Sequence, residues 1–277
     1  MQIAVLSGKG GTGKTTVAVN LFNMMNQSVL IDTDTEEPNS HIFLDGELIQ
    51  NHTVYKGYPV VDYDKCGFCG KCGELCNFNA IIPTKSKVIV FDDLCHDCGL
   101  CKLACPNDAI TYKEKPLGVI SEFSYQGKEF FSGKLNIGEV SGVRLIEELK
   151  EYTSDRETLV IDCPPGVACS TVTSLNGVDY AVIVIEPTPF GLSDMKMVVE
   201  LLRTENIPFG VVINKADLGD LGVKHYLQDE HIPLISEIPF DEEFAKIYSE
   251  GKLISDHSLV FREKIEDIIA YLKEVVK

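Results

Sequence analysis

The strongest constraint on this 277-residue chain lies near its start, where an apolar run, Ile3-Ala4-Val5-Leu6-Ser7, enters Gly8-Lys9-Gly10-Gly11-Thr12-Gly13-Lys14-Thr15-Thr16 and then a helix-period stretch from Thr15 to Met25. The glycines let backbone N–H groups turn together toward an anion, and the opening helix adds the positive end of its dipole. Strand, G-x-x-x-x-G-K-T loop and helix in register read as a phosphate cradle rather than as a ligand-free glycine turn. Lys14 is expected to reach the β- and γ-phosphates of a nucleotide and the Thr15 hydroxyl to bind Mg²⁺, with Gly8 through Thr16 wrapping the phosphates.

Apolar runs bounded by turn residues recur at Val29 to Asp32, Leu159 to Asp162, Ala181 to Ile185, Gly210 to Ile213 and Leu234 to Ile238. They are short and β-branched, as buried parallel strands are. Helix-period stretches lie between and beyond them at Val143 to Tyr152, Leu192 to Thr204, Val223 to Asp229 and Glu242 to Glu250. The alternation predicts a doubly wound, mostly parallel α/β sheet that binds ligands beyond the carboxyl ends of its strands. A final stretch, Phe261 to Val276, sets Phe261, Ile265, Ile268, Ile269, Leu272 and Val276 on one stripe. Its polar face mixes both charges, so packing on the domain is expected rather than the basic face of a membrane-surface helix.

The alternation fails between about Thr53 and Lys115, where the chain repeats itself at an offset of 29. Each copy reads C-x2-C-x2-C-x3-C: Cys66, Cys69, Cys72 and Cys76, then Cys95, Cys98, Cys101 and Cys105. Residues 57–115 are therefore read as an inserted module with internal pseudo-twofold symmetry, dividing the main domain into 1–56 and 116–277. After it, Gly118 to Lys134 alternates around Gln126-Gly127, a hairpin returning to the main sheet. The cysteine runs resemble those of bacterial ferredoxins, in which the fourth cysteine of each run serves the other cluster. That resemblance implies an α+β ferredoxin-like module with one 4Fe-4S cluster on Cys66, Cys69, Cys72 and Cys105 and another on Cys95, Cys98, Cys101 and Cys76. Zinc sites are the rival, but they usually separate two C-x2-C pairs by a longer stretch. Asn77 follows Cys76 where Pro106 follows Cys105, which removes a stiffening residue but no ligand; His96 is read as a surface polar residue.

Charge narrows the partners. With 25 basic against 42 acidic side chains the net charge is −17, which disfavours nucleic acid and anionic membrane surfaces. No charged leader with an apolar signal segment precedes Ile3, and no apolar run reaches the roughly 20 residues that span a bilayer, so a cytoplasmic protein without stable membrane insertion is expected. Ten cysteines in a reducing compartment point to metal or catalysis rather than disulfides.

The loop is more specific than a generic phosphate cradle. With Lys9 it resembles the deviant Walker A loop of the MinD, Mrp and nitrogenase-iron-protein class of P-loop ATPases. The segment from Asp32 through Asp34 to Asn39 is similar to that class's second aspartate motif, Asp162-Cys163-Pro164-Pro165-Gly166 to its Walker B and switch region, and Asn214-Lys215-Ala216-Asp217 to its base-recognition segment. The resemblance covers nearly all of the chain outside the insertion and implies ATP/ADP and Mg²⁺ as ligands and a homodimer in the ATP state. Lys9 would cross to the partner's nucleotide, Asp34 would orient the attacking water and Asp162 would hold Mg²⁺ through water. Asn214 would contact adenine, with Pro239 to Asp241 flanking the ring. The nitrogenase iron protein also places a cluster-binding cysteine in its switch region, near where Cys163 and Cys169 stand, but the counterpart segment for its second cysteine, Asn136 to Gly142, contains none; small buried thiols are the competing reading. The functional expectation is an ATPase coupling nucleotide state to electron transfer or to iron–sulfur cluster delivery to a redox or metalloprotein client. The alternatives are a MinD-like positioning or scaffold ATPase with structural clusters, and a nucleotide-dependent redox sensor.

Overall fold

The computed structural model describes residues 1–276. Strand β1 (Gln2–Leu6) runs into the glycine loop, from which helix α1 (Lys14–Met24) departs. Successive side chains of a strand point to opposite faces, so Ile3 and Val5 enter one hydrophobic core while Ala4 and Leu6 enter a second. A sheet buried on both sides needs helices on both. The chain supplies them in sequence: β2 (Val29–Asp32), a short α2 (Ser40–Phe43) and β3 (Glu47–Val61) come first. The cysteine-bearing stretch follows, with α3 (Lys71–Glu74), β4 (Ile81–Pro83), β5 (Val88–Val90) and α4 (Leu100–Leu103). The return is made by β6 (Ile110–Tyr125), β7 (Lys128–Leu135), α5 (Val143–Tyr152), β8 (Leu159–Asp162) and α6 (Cys169–Leu175). Then come β9 (Tyr180–Ile185), α7 (Pro189–Thr204), β10 (Phe209–Asn214), α8 (Gly222–Asp229), β11 (Leu234–Ile238), α9 (Glu242–Ser249) and α10 (Leu259–Val275).

Among the described residues nine strands form one sheet in the order β11-β10-β9-β1-β8-β2-β7-β6-β3. It is parallel from β11 through β7 and antiparallel at β6 and β3. This is the mostly parallel α/β sheet expected from the alternation. Residues of α1, α9 and α10 fill one core, and residues of α5, α7 and α8 the other. Phe261, Ile265, Ile268, Ile269 and Leu272 of α10 are all buried in the first, so that helix packs on the domain as its stripe indicates; each such side chain contributes about 1.5–3 kcal/mol of burial. Among the described residues no helix is long and apolar enough to cross a membrane.

The hairpin at Gln126-Gly127 forms as expected: Tyr125 pairs with Lys128, and both turn residues have positive φ, 50° and 79°, as the right-handed twist of a two-residue connection requires. Several elements lie outside the sequence expectation, among them α2, α6 and the pairing of β3 with β6. Helix α6 is rich in hydroxyls and lacks an apolar period, yet Thr173 and Ser174 donate to the carbonyls of Cys169 and Ser170. Lys150, its pKa pulled down to about 8 by burial, donates to the carbonyls of Ser174 and Asn176 at the end of α6. Strands β3 and β6, of 15 and 16 residues, form an antiparallel ribbon that pairs from Glu47 with Ser124 to Val61 with Ile110. Both strands pass without a break through positions 57 and 115.

Candidate active site and metal centre

Parallel strands place their carboxyl ends on one edge, and that edge carries the glycine loop, Asp32, Asp162, Asn214 and Ile238. A cavity of about 460 Å³ opens there, lined by residues of the loop together with Asp34, Asn39, Asn214, Pro239 and Asp241. This size suits a small-molecule ligand. The structure thus brings Gly10, Gly11, Gly13, Lys14, Thr15 and Thr16 together with the base-side candidates, while Gly8, Lys9 and Thr12 lie on the loop's other side, toward α7. Gly13 caps α1 at φ 96°, and a Cβ there would come within 2.4 Å of the Asn214 amide nitrogen. The amide is held that close to the loop because Asn214 Nδ2 donates to the Thr12 carbonyl at 2.9 Å.

Lys14 is buried and pairs with Asp34 at 3.2 Å and with Asp162 at 3.8 Å. Burial works against its charge, but Asp162 and then Asp34 outweigh it and hold the ammonium above its ordinary range. Asp162 is fully buried with neither carboxylate oxygen hydrogen-bonded; the Thr15 hydroxyl lies beside it without forming a well-made bond. Burial pushes its pKa up to about 7 against the pull of Lys14. A buried carboxylate with open lone pairs next to a threonine hydroxyl is a donor set that fits the water shell of a hard divalent cation. Lys9 is half-buried and forms no ion pair among the described residues. Asp241 lines the cavity with its neighbours, and its carboxylate also caps α9 by accepting from the Glu243 N–H at 2.8 Å.

Asp32 has a structural role that its place in the motif does not announce. Its buried carboxylate accepts from the N–H groups of Asp34, Asn39 and Ser40 at 3.0–3.1 Å, which folds the loop so that Asp34 faces Lys14. Thr33 fixes the neighbouring strand, donating to the Asp162 carbonyl at 2.8 Å. An acid closing an apolar strand two residues before the candidate Asp34 was the available signal.

The cysteine segment is duplicated in backbone detail. Positive φ occurs at Phe68, Gly70 and Asn79 and again, 29 residues on, at Asp97, Gly99 and Asp108. The Ala80 N–H donates to Cys76 Sγ and the Ala109 N–H to Cys105 Sγ, both at 3.3 Å, so Asn77 in place of proline leaves its turn intact. A small cavity is lined by Cys66, Cys69, Cys72 and Cys105, three cysteines of one run and the last of the other. Tyr112 brings its hydroxyl within 3.2 Å of Cys101 Sγ. Among the described residues no three His, Cys, Asp or Glu side chains converge as a site for one ion. His96 stacks on Phe78 with ring centroids 3.6 Å apart. Cys163 is buried in the second core, its thiol raised to about 12 by burial and by Asp162, whereas Cys169 is exposed at the start of α6.

Residues 3–254 match the family model of the CobQ/CobB/MinD/ParA nucleotide binding domain, and the chain belongs to that family of P-loop ATPases. An uncharacterized protein of Methanocaldococcus jannaschii is 30% identical over 99% of this chain and 96% of its own length. An iron-sulfur cluster carrier protein of Pyrococcus horikoshii is 24% identical over 99% of this chain and 87% of that protein. In fold the chain is similar to the septum site-determining protein MinD of Pyrococcus horikoshii complexed with Mg-ADP, with a TM-score of 0.60 at 17% identity, covering 96% of this chain and 93% of that one.

Proposed function

We propose that this chain is an ATP-hydrolysing iron–sulfur protein in which residues 57–115, a ferredoxin-like module, hold two 4Fe-4S clusters, and in which nucleotide state governs electron transfer to a client metalloprotein. The observation that carries the reading is the meeting of Cys66, Cys69 and Cys72 with Cys105 around one cavity, the exchange of the fourth ligand that two-cluster ferredoxins use. Cys95, Cys98, Cys101 and Cys76 would hold the second cluster. Amide N–H groups directed at Cys76 and Cys105 favour thiolate, the form that binds iron. When bound, the clusters supply one-electron chemistry.

In the ATPase site, Lys14 would exchange its carboxylate partners for phosphate oxygens, releasing Asp34 to orient a water. Mg²⁺ would neutralise phosphate charge, with Thr15 as ligand and Asp162 holding its water shell; phosphoryl transfer needs such positioning and neutralisation rather than covalent catalysis. Asn214, tied to the loop through Thr12, would set the base against Pro239 and Asp241, and Lys9 would serve the nucleotide of a second copy in an ATP-bound homodimer.

Anaerobic purification with iron and sulfide assays, followed by EPR of the reduced protein with and without Mg-ATP, tests the reading. About eight irons per chain and a spectrum altered by Mg-ATP are expected. Zinc in place of iron, or signals blind to nucleotide, would overturn it; iron leaving with ATP turnover would mark cluster delivery instead of electron transfer.

A further inference from the structure

The cysteine segment repeats, but its surroundings do not. The Tyr112 hydroxyl is 3.2 Å from Cys101 Sγ; a metal-bound thiolate carries no proton, so the phenol is the donor. The residue 29 positions earlier is Pro83, which donates nothing. Lys56 is the second difference. Its side chain is only 4% exposed, and its ammonium donates to the Cys95 carbonyl at 3.0 Å and the Asp93 carbonyl at 3.4 Å. The cavity of Cys66, Cys69, Cys72 and Cys105 is walled instead by apolar groups such as Val61, Val88 and Ile110, its one cationic member, Lys71, being exposed.

Lys56 is charge-compensated from the nucleotide domain. It pairs with Glu139, whose side chain is 6% exposed and which also receives Lys115 at 2.9 Å; Lys115 in turn holds Asp92 and Asp93, just ahead of Cys95. Glu139 lies between β7 and α5, on a segment clamped at both ends by one residue. The Leu135 N–H donates to the Thr35 carbonyl at 2.9 Å. Gly142 rests so closely on Thr35 that a Cβ there would fall 2.2 Å from its hydroxyl. Thr35 adjoins Asp34, the partner of Lys14.

We propose, resting on the two-cluster reading, that Lys56 and Tyr112 hold the cluster on Cys95, Cys98, Cys101 and Cys76 at the higher reduction potential, and that Glu139 is the lever by which the nucleotide site adjusts it. One electron from a low-potential one-electron donor would add one negative charge to a cluster held by either set of cysteines. A buried cation and a hydrogen bond to sulfur favour that reduced state. The first electron therefore settles on the second-run cluster. Drawing Glu139 away from Lys56 leaves the ammonium without its ion-pair partner and raises the potential; restoring the pair lowers it.

The test is an EPR-monitored redox titration of the full-length, iron-replete chain with Mg-ADP and with a non-hydrolysable Mg-ATP analogue. Two separate one-electron steps are expected, favouring the second-run cluster by tenfold or more in occupancy, about 59 mV, with the higher step moving between nucleotides. Tyr112→Phe and Lys56→Met each lower the higher step and spare the lower one, while Glu139→Gln raises it and abolishes its nucleotide response. Iron counts on each variant separate lost binding from shifted potential, and if Lys56→Met loses iron, Tyr112→Phe decides the asymmetry. A chain that takes up no iron refutes the proposed function and this inference with it. Full iron with two equal steps, a Tyr112→Phe variant unchanged, or a Glu139→Gln variant still answering to nucleotide refutes this inference alone.

Discussion

Replacing Asp162 by asparagine removes a carboxylate that β8 buries completely and that has no hydrogen-bond donor on either oxygen. Burial lifts its pKa from the ordinary 3.8 to about 7, against the opposing pull of Lys14. The folded chain thus keeps this proton to higher pH than the unfolded chain does, so stability falls as pH rises from about 4 to about 7 and then levels off. At roughly 1.4 kcal/mol per pH unit, the ionised group costs the nucleotide-free fold up to about 4 kcal/mol above that window. Asparagine removes the cost but also one partner of Lys14, which keeps Asp34 at 3.2 Å. The pull of Lys14 is already contained in that pKa, so a net gain of up to about 4 kcal/mol follows, or about 8–16 °C in the unfolding midpoint. The assay is an anaerobic thermal melt followed by circular dichroism in chelator without nucleotide, at about pH 5.5 and about pH 8. The wild type should melt lower at the higher pH; Asp162→Asn should lose most of that difference and melt above the wild type there, while Mg-ATP stabilises only the wild type. A variant that melts below the wild type at the higher pH, or keeps its full pH dependence, refutes the reasoning.

Lys14→Ala should abolish nucleotide binding in a calorimetric titration, because no other ammonium pairs with Asp34 and Asp162 among the described residues. Lys9→Ala should leave binding intact and slow hydrolysis; an unimpaired phosphate-release rate would count against a role across a dimer interface. Cys76→Ser should disturb the EPR signal of the second-run cluster before that of the first, and the reverse order would break the exchanged-ligand assignment. Ile268→Ala, deep beneath α10, should cost about 2–5 kcal/mol in urea unfolding, and a loss under 1 kcal/mol would mean that the helix is held by something other than its apolar stripe.

The parallel strands were legible because both faces are buried: β2, β8 and β11 form at the residues their apolar runs delimit, and β1, β9 and β10 within a residue or so. The ribbon was not. The first seven residues of β3, Glu47 to Thr53, are exposed, so neither alternation nor an apolar run marks them, and their partners on β6 come from the far side of the cysteine segment. The phosphate loop was readable since its function is encoded in contiguous residues. The pairing of Lys56 with Glu139 was not, because a buried ion pair between distant positions leaves no local pattern; only the fold reveals that two unremarkable surface-type residues meet in the interior. Asp241 stands between these cases: its place beside the cavity came from family likeness, and its capping bond to Glu243 is plain turn chemistry that any Asp before a helix could provide.

The ribbon of β3 and β6 also fixes how the cysteine segment is joined to the sheet. A segment strung on loops can swing; this one leaves the sheet on two paired strands that run about 25 Å beyond the last pair of β6 with β7 at the usual rise per residue. Tilting it would strain the ladder of backbone hydrogen bonds between β3 and β6, so the cysteine segment is joined to the sheet edge by paired backbone rather than by a loop.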